Sequence, residues 1–184
     1  MIRFSESSNL VFQRSLRCLQ HPFSWLSIGL LLLNDHLLKG LFPGLITGKL
    51  SDFAGLFFFP FLVALVLAIL ASRWKLDPRR LGGVAFLVTG LLFVLIKVCP
   101  PINLAAGEWL SAVYGRRVAV APDPTDLLAL LALVPAWRLW LRPPEVDRKR
   151  TAALALGMAS LACLATAPAM DDPGVYHLAI HPES

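Results

Sequence analysis

Charged residues are scarce in this sequence. Only 16% of its 184 residues are Asp, Glu, Lys or Arg, whereas soluble domains carry about 25%. Hydrophobic residues make up 57% of the chain, and its mean hydropathy is +0.66. This balance excludes an ordinary soluble domain and predicts an integral membrane protein.

Cysteine is also scarce. Cys18, Cys99 and Cys163 stand at unrelated spacings, which fit neither a disulfide framework nor a Cys-x-x-Cys metal site. We expect them to be plain apolar residues. The nearest approach to a metal site is His177 and His181, four residues apart in the C-terminal tail, where a Pro-Gly pair disfavours a helix. We therefore predict no metal site, and the sequence leaves open whether the protein binds a cofactor.

The sequence predicts no N-terminal signal peptide, because the first 21 residues contain no apolar core followed by small residues. Insertion is expected to depend on the first membrane-spanning helix. The net charge of +5 is compatible with nucleic-acid binding. The basic residues, however, form short clusters between apolar runs rather than one basic face with interleaved aromatics. We interpret them as topology signals and expect no nucleic-acid partner.

Five segments approach the roughly 20 apolar residues that a membrane-spanning helix needs. The sequence therefore predicts an all-α membrane protein of about five transmembrane helices in a small bundle. The predicted spans are 22–42, 51–71, 81–98, 125–141 and 151–168. They form one transmembrane domain, 22–168, between a cytoplasmic segment, 1–21, and an extracytoplasmic tail, 169–184.

Two amphipathic helices are predicted to lie in the membrane interface. The first precedes the first span, with Phe12, Leu16 and Leu19 on one face and Arg14 and Arg17 facing away. The second lies on the outer side, between the third and fourth spans. Its apolar stripe consists of Ile102, Ala106, Trp109 and Val113.

The distribution of basic residues predicts the orientation. Of the 17 Lys and Arg residues, twelve lie on the side of the predicted bundle that holds the N-terminus and five lie on the other. Because basic loops stay in the cytoplasm, we predict a bacterial cytoplasmic-membrane protein with a cytoplasmic N-terminus and an extracytoplasmic C-terminus. The acids lean the other way, which concentrates polar chemistry on the outer face.

The last span has a second interpretation. The segment "RKRTAALALGMASLACLATAPA" also has the basic start, short apolar core and small-residue end of a signal peptide. Cleavage after Ala167 or Ala169 would release the tail. A membrane-spanning helix is the leading interpretation.

Ionisable residues interrupt the first span near its outer end. The segment "NDHLLKG" contributes Asn34, Asp35, His36 and Lys39. Asp35 and Lys39 are spaced i, i+4 with the acid first, the favourable order for a helical ion pair. Asp35 lies too far from the end of its helix to be a cap.

Three further spans place ionisable residues at the same outer end. Lys49 and Asp52 begin the second span, Lys97 ends the third, and Asp126 begins the fourth. Charges at membrane depth normally face the bundle interior and pair with one another. We therefore predict one polar network at the outer ends of the helices.

Simpler structural roles are open for several of these residues. The lysines that can extend to the lipid headgroups are Lys39, Lys49 and Lys97. Ser51 or Asp52 can cap the second span. Thr125 can cap the fourth with Asp126 in its first turn, or Asp126 can itself be the N-cap. His36 can be a hydrogen-bonded structural residue.

Two fragments resemble membrane-embedded aspartyl enzymes of the lipoprotein signal peptidase type. They are Asp35-x-x-x-Lys39 and "GKLSDF" at 48–53, where that family has Gly-x-Val-x-Asp-Phe. The resemblance is confined to these fragments, since the family's Asn-Arg-rich surroundings are absent and Asp126 does not follow Asp52 closely. The acids at helix ends are also similar to those of VanZ-type small membrane proteins. No residue role is carried over from either family.

The leading functional interpretation is a membrane-embedded hydrolase or transferase that acts at the outer leaflet. Asp52 and Asp126 would form its acid/base pair, because two nearby carboxylates can differ in pKa. Lys49 or Lys97 would stabilise an anionic group of the substrate.

Two other functions are open. One is a non-catalytic small subunit or sensor of a membrane or envelope complex, in which the polar network fixes helix packing. The other is proton or ion transport along Asp35, His36 and Lys39. The expected partners are membrane lipids and either a second copy of the chain or a larger membrane complex.

Overall fold

The structure, a computed structural model, describes residues 6–38, 45–72, 77–114, 123–145 and 149–165. Within these stretches all regular structure is helical and no strand occurs, so the predicted all-α class is confirmed. Lys39 and the C-terminal tail, including His177 and His181, lie outside the described residues. The side chains of Asp35 and His36 also lie outside this description.

Seven helices follow one another in the described stretches. They are α1 (Glu6–Leu19), α2 (Pro22–Leu33, continued by a π-helical turn at Asn34–Leu38), α3 (Leu45–Leu70), α4 (Pro78–Val98), α5 (Pro100–Tyr114), α6 (Pro124–Leu141) and α7 (Lys149–Ala165). Pro22 and Pro78 are the first residues of α2 and α4, a position that proline favours. His21 and Asp77 cap these two helices with side-chain acceptors.

Three of these helices are long and apolar enough to cross a membrane: α4, α6 and the Thr47–Leu70 part of α3. They correspond to the second, third and fourth predicted spans. The first and last predicted spans, 22–42 and 151–168, correspond to the shorter apolar helices α2 and α7. The fold is therefore that of a helical membrane protein with three long and two shorter apolar helices in its described part.

Helix α3 lies at the centre of the bundle, where it contacts α1, α2, α4, α6 and α7. Phe58 and Phe61 of α3 are fully buried. The ring of Phe61 stacks on Trp140 of α6, with centroids 6.4 Å apart, and meets Phe86 of α4 edge-on at 6.0 Å. Each such pair contributes about 0.5–1.5 kcal/mol beyond area burial. This aromatic cluster joins the three long helices.

Helix α1 packs against α3 through a stripe that differs from the predicted apolar face. Its buried side chains are Ser8, Val11, Ser15, Cys18 and Leu19. Of the predicted face only Leu19 is buried, whereas Phe12 and Leu16 are partly exposed. Small side chains allow close helix approach, and the Ser8 hydroxyl donates to the Ala71 carbonyl at 2.9 Å. Hydrophobic periodicity misses this stripe because serine counts as polar.

Helix α5 follows α4 directly and packs against it. The Asn103 side-chain amide donates to the Ile96 carbonyl at 2.8 Å, which fixes the junction of the two helices. Trp109, part of the predicted apolar stripe, is 67% exposed. An exposed tryptophan suits a helix in the membrane interface, where such side chains are enriched.

Candidate functional site

Lys97, near the end of α4, lies between two carboxylates. Its Nζ is 2.9 Å from Asp52 Oδ2 and 2.6 Å from Asp126 Oδ2. Only 13% of the Lys97 side chain and 11% of the Asp126 side chain are exposed. The two carboxylate oxygens cannot be farther apart than the sum of these distances. Helices α3 and α6 therefore bring their acids to one ammonium group.

Lys49, in the second turn of α3, contacts the other oxygen of Asp126. Its Nζ is 2.9 Å from Asp126 Oδ1 and 3.5 Å from Asp123 Oδ2, and it also donates to Thr125 Oγ1. Each oxygen of the Asp126 carboxylate is thus paired with a different lysine. The set formed by Lys49, Asp52, Lys97, Asp123 and Asp126 is called the ion network below.

The ion network forms at one end of the bundle because the chain direction alternates. Helices α3 and α6 begin at that end, and α4 finishes there. The structure therefore brings together four of the predicted site residues: Lys49, Asp52, Lys97 and Asp126. The predicted links to Asp35, His36 and Lys39 fall outside what the structure describes and stay predictions.

The winding of α6 orients Asp126. Residues Pro124–Ala132 form a 3-10 helix, in which every third residue lies on the same face. Asp126, Ala129 and Ala132 share one face in this way, and all three are buried. In a regular α-helix the same six-residue step would rotate Asp126 by about 120° from Ala132. The 3-10 winding therefore keeps the acid on the buried face.

Asn34 ties the end of α2 to α3 beside the ion network. Its side-chain amide donates to the Thr47 carbonyl at 2.7 Å and to the Ser51 hydroxyl at 2.5 Å. The side chain is fully buried, and its Oδ1 has no hydrogen-bond partner among the described residues. Asn34 begins the π-helical turn, and Ser51 directly precedes Asp52. Asn34 therefore belongs to the same polar layer.

The cap assignments from the sequence are wrong. Helix α3 begins at Leu45, so Ser51 and Asp52 lie within the helix. The N-cap of α6 is Asp123 rather than Thr125, and Asp123 Oδ1 accepts from the Thr125 backbone amide at 2.8 Å. Asp123 is a residue of the site that the sequence did not predict. An acid directly before a proline at the first helical position was the available signal.

The ion network holds three carboxylates and two ammonium groups, which leaves a net charge of −1 when all are ionised. Hydrogen bonds from the Thr125 hydroxyl and amide, together with the nearby Lys49 ammonium, hold the pKa of Asp123 below its usual range. Within the described stretches no group of three His, Cys, Asp or Glu residues is placed to hold a metal ion. The arrangement can therefore join α3, α4 and α6 by ion pairs.

The fold and the ion network together define a class of protein: a small helical membrane protein with a charged layer at one end of its bundle. No protein-family model, curated protein or solved structure matches the chain. The resemblance of 48–53 to lipoprotein signal peptidases therefore stays limited to the fragments that suggested it. In the structure the acid of that fragment, Asp52, is paired with Lys97.

Proposed function

We propose that this protein is a non-catalytic membrane component, a small subunit or sensor, in which the ion network fixes the packing of α3, α4 and α6. The observation that carries the proposal is the position of Asp126. Its Oδ1 lies 2.9 Å from Lys49 of α3, and its Oδ2 lies 2.6 Å from Lys97 of α4. The carboxylate of Asp126 thus forms ion pairs with both other long helices, α3 and α4. Such a network favours one arrangement of the helices, because any other would leave buried charges unpaired.

Acid/base catalysis by Asp52 and Asp126, the leading interpretation of the sequence, has less support. A catalytic carboxylate must come within hydrogen-bond distance of its substrate. Each oxygen of the Asp126 carboxylate already contacts a lysine, and only 11% of the side chain is exposed, so little of this carboxylate is open to a substrate. The geometry therefore favours the architectural role for Asp126.

Chemistry at Asp52 alone is the second candidate. The Asp52 side chain is 21% exposed, against 11% for Asp126, and among the described residues Lys97 is its one lysine partner. Asp52 is the more accessible of the two proposed catalytic acids. Lys97 would then stabilise an anionic substrate group beside it.

Transport along the bundle axis has less support than either. The described residues buried among the long helices away from the ion network are mainly apolar, and they include the aromatic residues Phe58, Phe61, Phe86 and Trp140. Thr89 is also buried there, but its hydroxyl donates to the Ala85 carbonyl of its own helix at 2.8 Å. A polar relay would need ionisable groups in this region.

The substitution Asp52→Asn separates the two candidates. In the architectural role, Asp52→Asn keeps near-normal membrane abundance and cellular function, because Lys97 retains Asp126 and an asparagine oxygen. The matched change Asp126→Asn lowers abundance, because two lysines then lose their shared carboxylate. Three quantities are measured: membrane abundance, thermal unfolding of the purified protein and the phenotype of the deletion strain.

Normal abundance with lost function in Asp52→Asn would contradict the architectural role and favour chemistry at Asp52, since only a titratable carboxylate can exchange a proton. Normal abundance and function in Asp126→Asn would also contradict it. The two variants remove the same charge from neighbouring positions, so charge loss by itself cannot explain a difference between them.

We further propose that the protein lies in a bacterial cytoplasmic membrane, surrounded by lipid, with the ion network at the outer face. The end opposite the ion network is basic in the described structure. Its arginines are Arg14, Arg17, Arg79, Arg80, Arg138 and Arg142. Positively charged ends are retained in the cytoplasm. A second copy or a larger membrane complex is the proposed partner, and nucleic acid is not.

Cysteine labelling in intact cells tests this orientation. Arg80→Cys, at a side chain that is 87% exposed, should resist a membrane-impermeant maleimide, whereas Glu108→Cys on α5 should react. The background carries Cys99→Ser and Cys163→Ser. Cys18 can stay, because burial raises the pKa of its thiol to about 12. The reverse labelling pattern would place the ion network in the cytoplasm.

A further inference from the structure

A cavity of about 320 Å³ lies at the end of the bundle opposite the ion network. Its walls come from α1, from the start of α4 near Pro78 and from the chain after α6 near Pro143. Helix α4 has 21 residues and rises about 1.5 Å per residue, so its two ends are about 30 Å apart. That distance matches the hydrocarbon thickness of a bilayer. The cavity and the ion network therefore lie near opposite membrane surfaces.

Three arginines line this cavity: Arg14 and Arg17 from α1 and Arg79 from α4. Among the described residues none of them forms an ion pair with a carboxylate. Asp77 also lines the cavity. Its Oδ1 accepts from the Arg79 backbone amide at 2.9 Å, and its Oδ2 lies 4.0 Å from Arg80 Nε. The cavity walls thus carry three guanidinium groups against one carboxylate that caps a helix.

Arg14 is held in place before any ligand binds. Its guanidinium carbon lies 5.6 Å from the ring centroid of Trp140, which is fully buried. A cation over an aromatic face is stabilised by the ring. A pre-positioned side chain loses less entropy when it binds a ligand. The planar guanidinium also presents paired N–H donors that match the oxygens of a phosphate.

We propose that this arginine-lined cavity binds a phosphate group, carried by the headgroup of an anionic phospholipid. Arginine clusters at the basic surface of a helical membrane protein attract anionic lipids. The cavity also has an apolar wall that includes Leu10, 58% exposed, and Val11. This wall suits the glycerol and upper acyl chain of a lipid. Free phosphate is the other source of the same chemistry, and the test distinguishes the two. The proposal does not rest on the function of the ion network.

The test uses the full-length protein in nanodiscs of phosphatidylcholine, with and without phosphatidylglycerol. Native mass spectrometry measures retained phosphatidylglycerol, and thermal unfolding measures the stabilisation it gives. The variant is Arg17→Gln with Arg79→Gln, since both side chains are exposed and neither makes an ion pair in the described structure. The control is Arg138→Gln with Arg142→Gln, which removes two arginines outside the cavity. We expect the variant to bind phosphatidylglycerol about thirtyfold more weakly and the control to bind it as the native protein does.

Equal loss in the variant and the control would overturn the proposal, because it would show diffuse attraction to a basic surface. No preference of the native protein for phosphatidylglycerol over phosphatidylcholine, together with no effect of inorganic phosphate, would also overturn it. A third outcome is that inorganic phosphate stabilises the native protein and the control but not the variant, while phosphatidylglycerol stabilises none of the three. This outcome would support the phosphate site and show that its ligand is a soluble anion rather than a lipid. Native mass spectrometry measures the bound lipid directly, so the result can be interpreted even if the variant is less stable.

Discussion

Lys97→Met is expected to lower the free energy of unfolding by about 3–5 kcal/mol, the cost of removing one partner from a buried ion pair. Lys97 is 13% exposed and contacts both Asp52 and Asp126. Methionine fills a similar volume but leaves the two carboxylates without their shared cation. Thermal or denaturant unfolding of the purified protein in detergent, with membrane abundance in cells, measures the loss.

Lys49→Met is the matched control. The Lys49 side chain is 27% exposed, and Asp126 keeps Lys97 when Lys49 is removed. The loss should therefore be clearly smaller than for Lys97→Met. Equal losses of unfolding free energy in the two variants would show that the central position of Lys97 does not make it more important for stability than Lys49.

A double-mutant cycle isolates the pairing of Lys97 with Asp52. Lys97→Met leaves Asp52 without its lysine partner, whereas Asp126 keeps Lys49. Adding Asp52→Asn removes this unpaired carboxylate. The double variant should therefore lose less stability than the sum of the single variants. Additive losses would mean that Lys97 and Asp52 are not coupled, although their charged atoms lie 2.9 Å apart.

Gly82→Ala is expected to destabilise the protein by about 1–3 kcal/mol, the usual cost of overpacking a core. A Cβ atom on Gly82 of α4 would lie 2.5 Å from Trp140 Nε1 and 2.6 Å from two ring carbons. Trp140 is fully buried and stacks on Phe61, so its ring has little room to move. Helices α4 and α6 would have to separate at this point. The unfolding midpoint measures the effect.

Gly83→Ala provides the control for this substitution. It makes the same chemical change one residue later in α4, but a Cβ there meets no atom within 4 Å. Alanine favours helix over glycine by about 1 kcal/mol, so this variant should be neutral or slightly more stable. If both variants behave alike, the close approach of Gly82 to Trp140 does not limit the packing of α4 on α6.

The all-helical membrane fold follows from the sequence because it depends on local composition. A run of about 20 apolar residues predicts a membrane helix whatever it packs against, and three of the five predicted spans meet this criterion in the structure. The meeting of Lys97 with Asp52 and Asp126 is also anticipated, since alternating chain direction places every second helix end on the same side. Charges at those ends pair because isolated charges are costly at membrane depth.

Tertiary structure alone decides how those charges pair. The sequence treats Asp126 as an N-terminal residue of a helix, whereas the 3-10 winding of α6 turns it onto the buried face between Lys49 and Lys97. The serine stripe by which α1 packs on α3 cannot be predicted from the sequence for a similar reason. Ser8 is buried and donates a hydrogen bond to the carbonyl of Ala71, 63 residues away in the sequence. Hydropathy and helical period are properties of one segment. The partner of a buried polar side chain is set by which segments pack together, and that is determined only when the bundle forms.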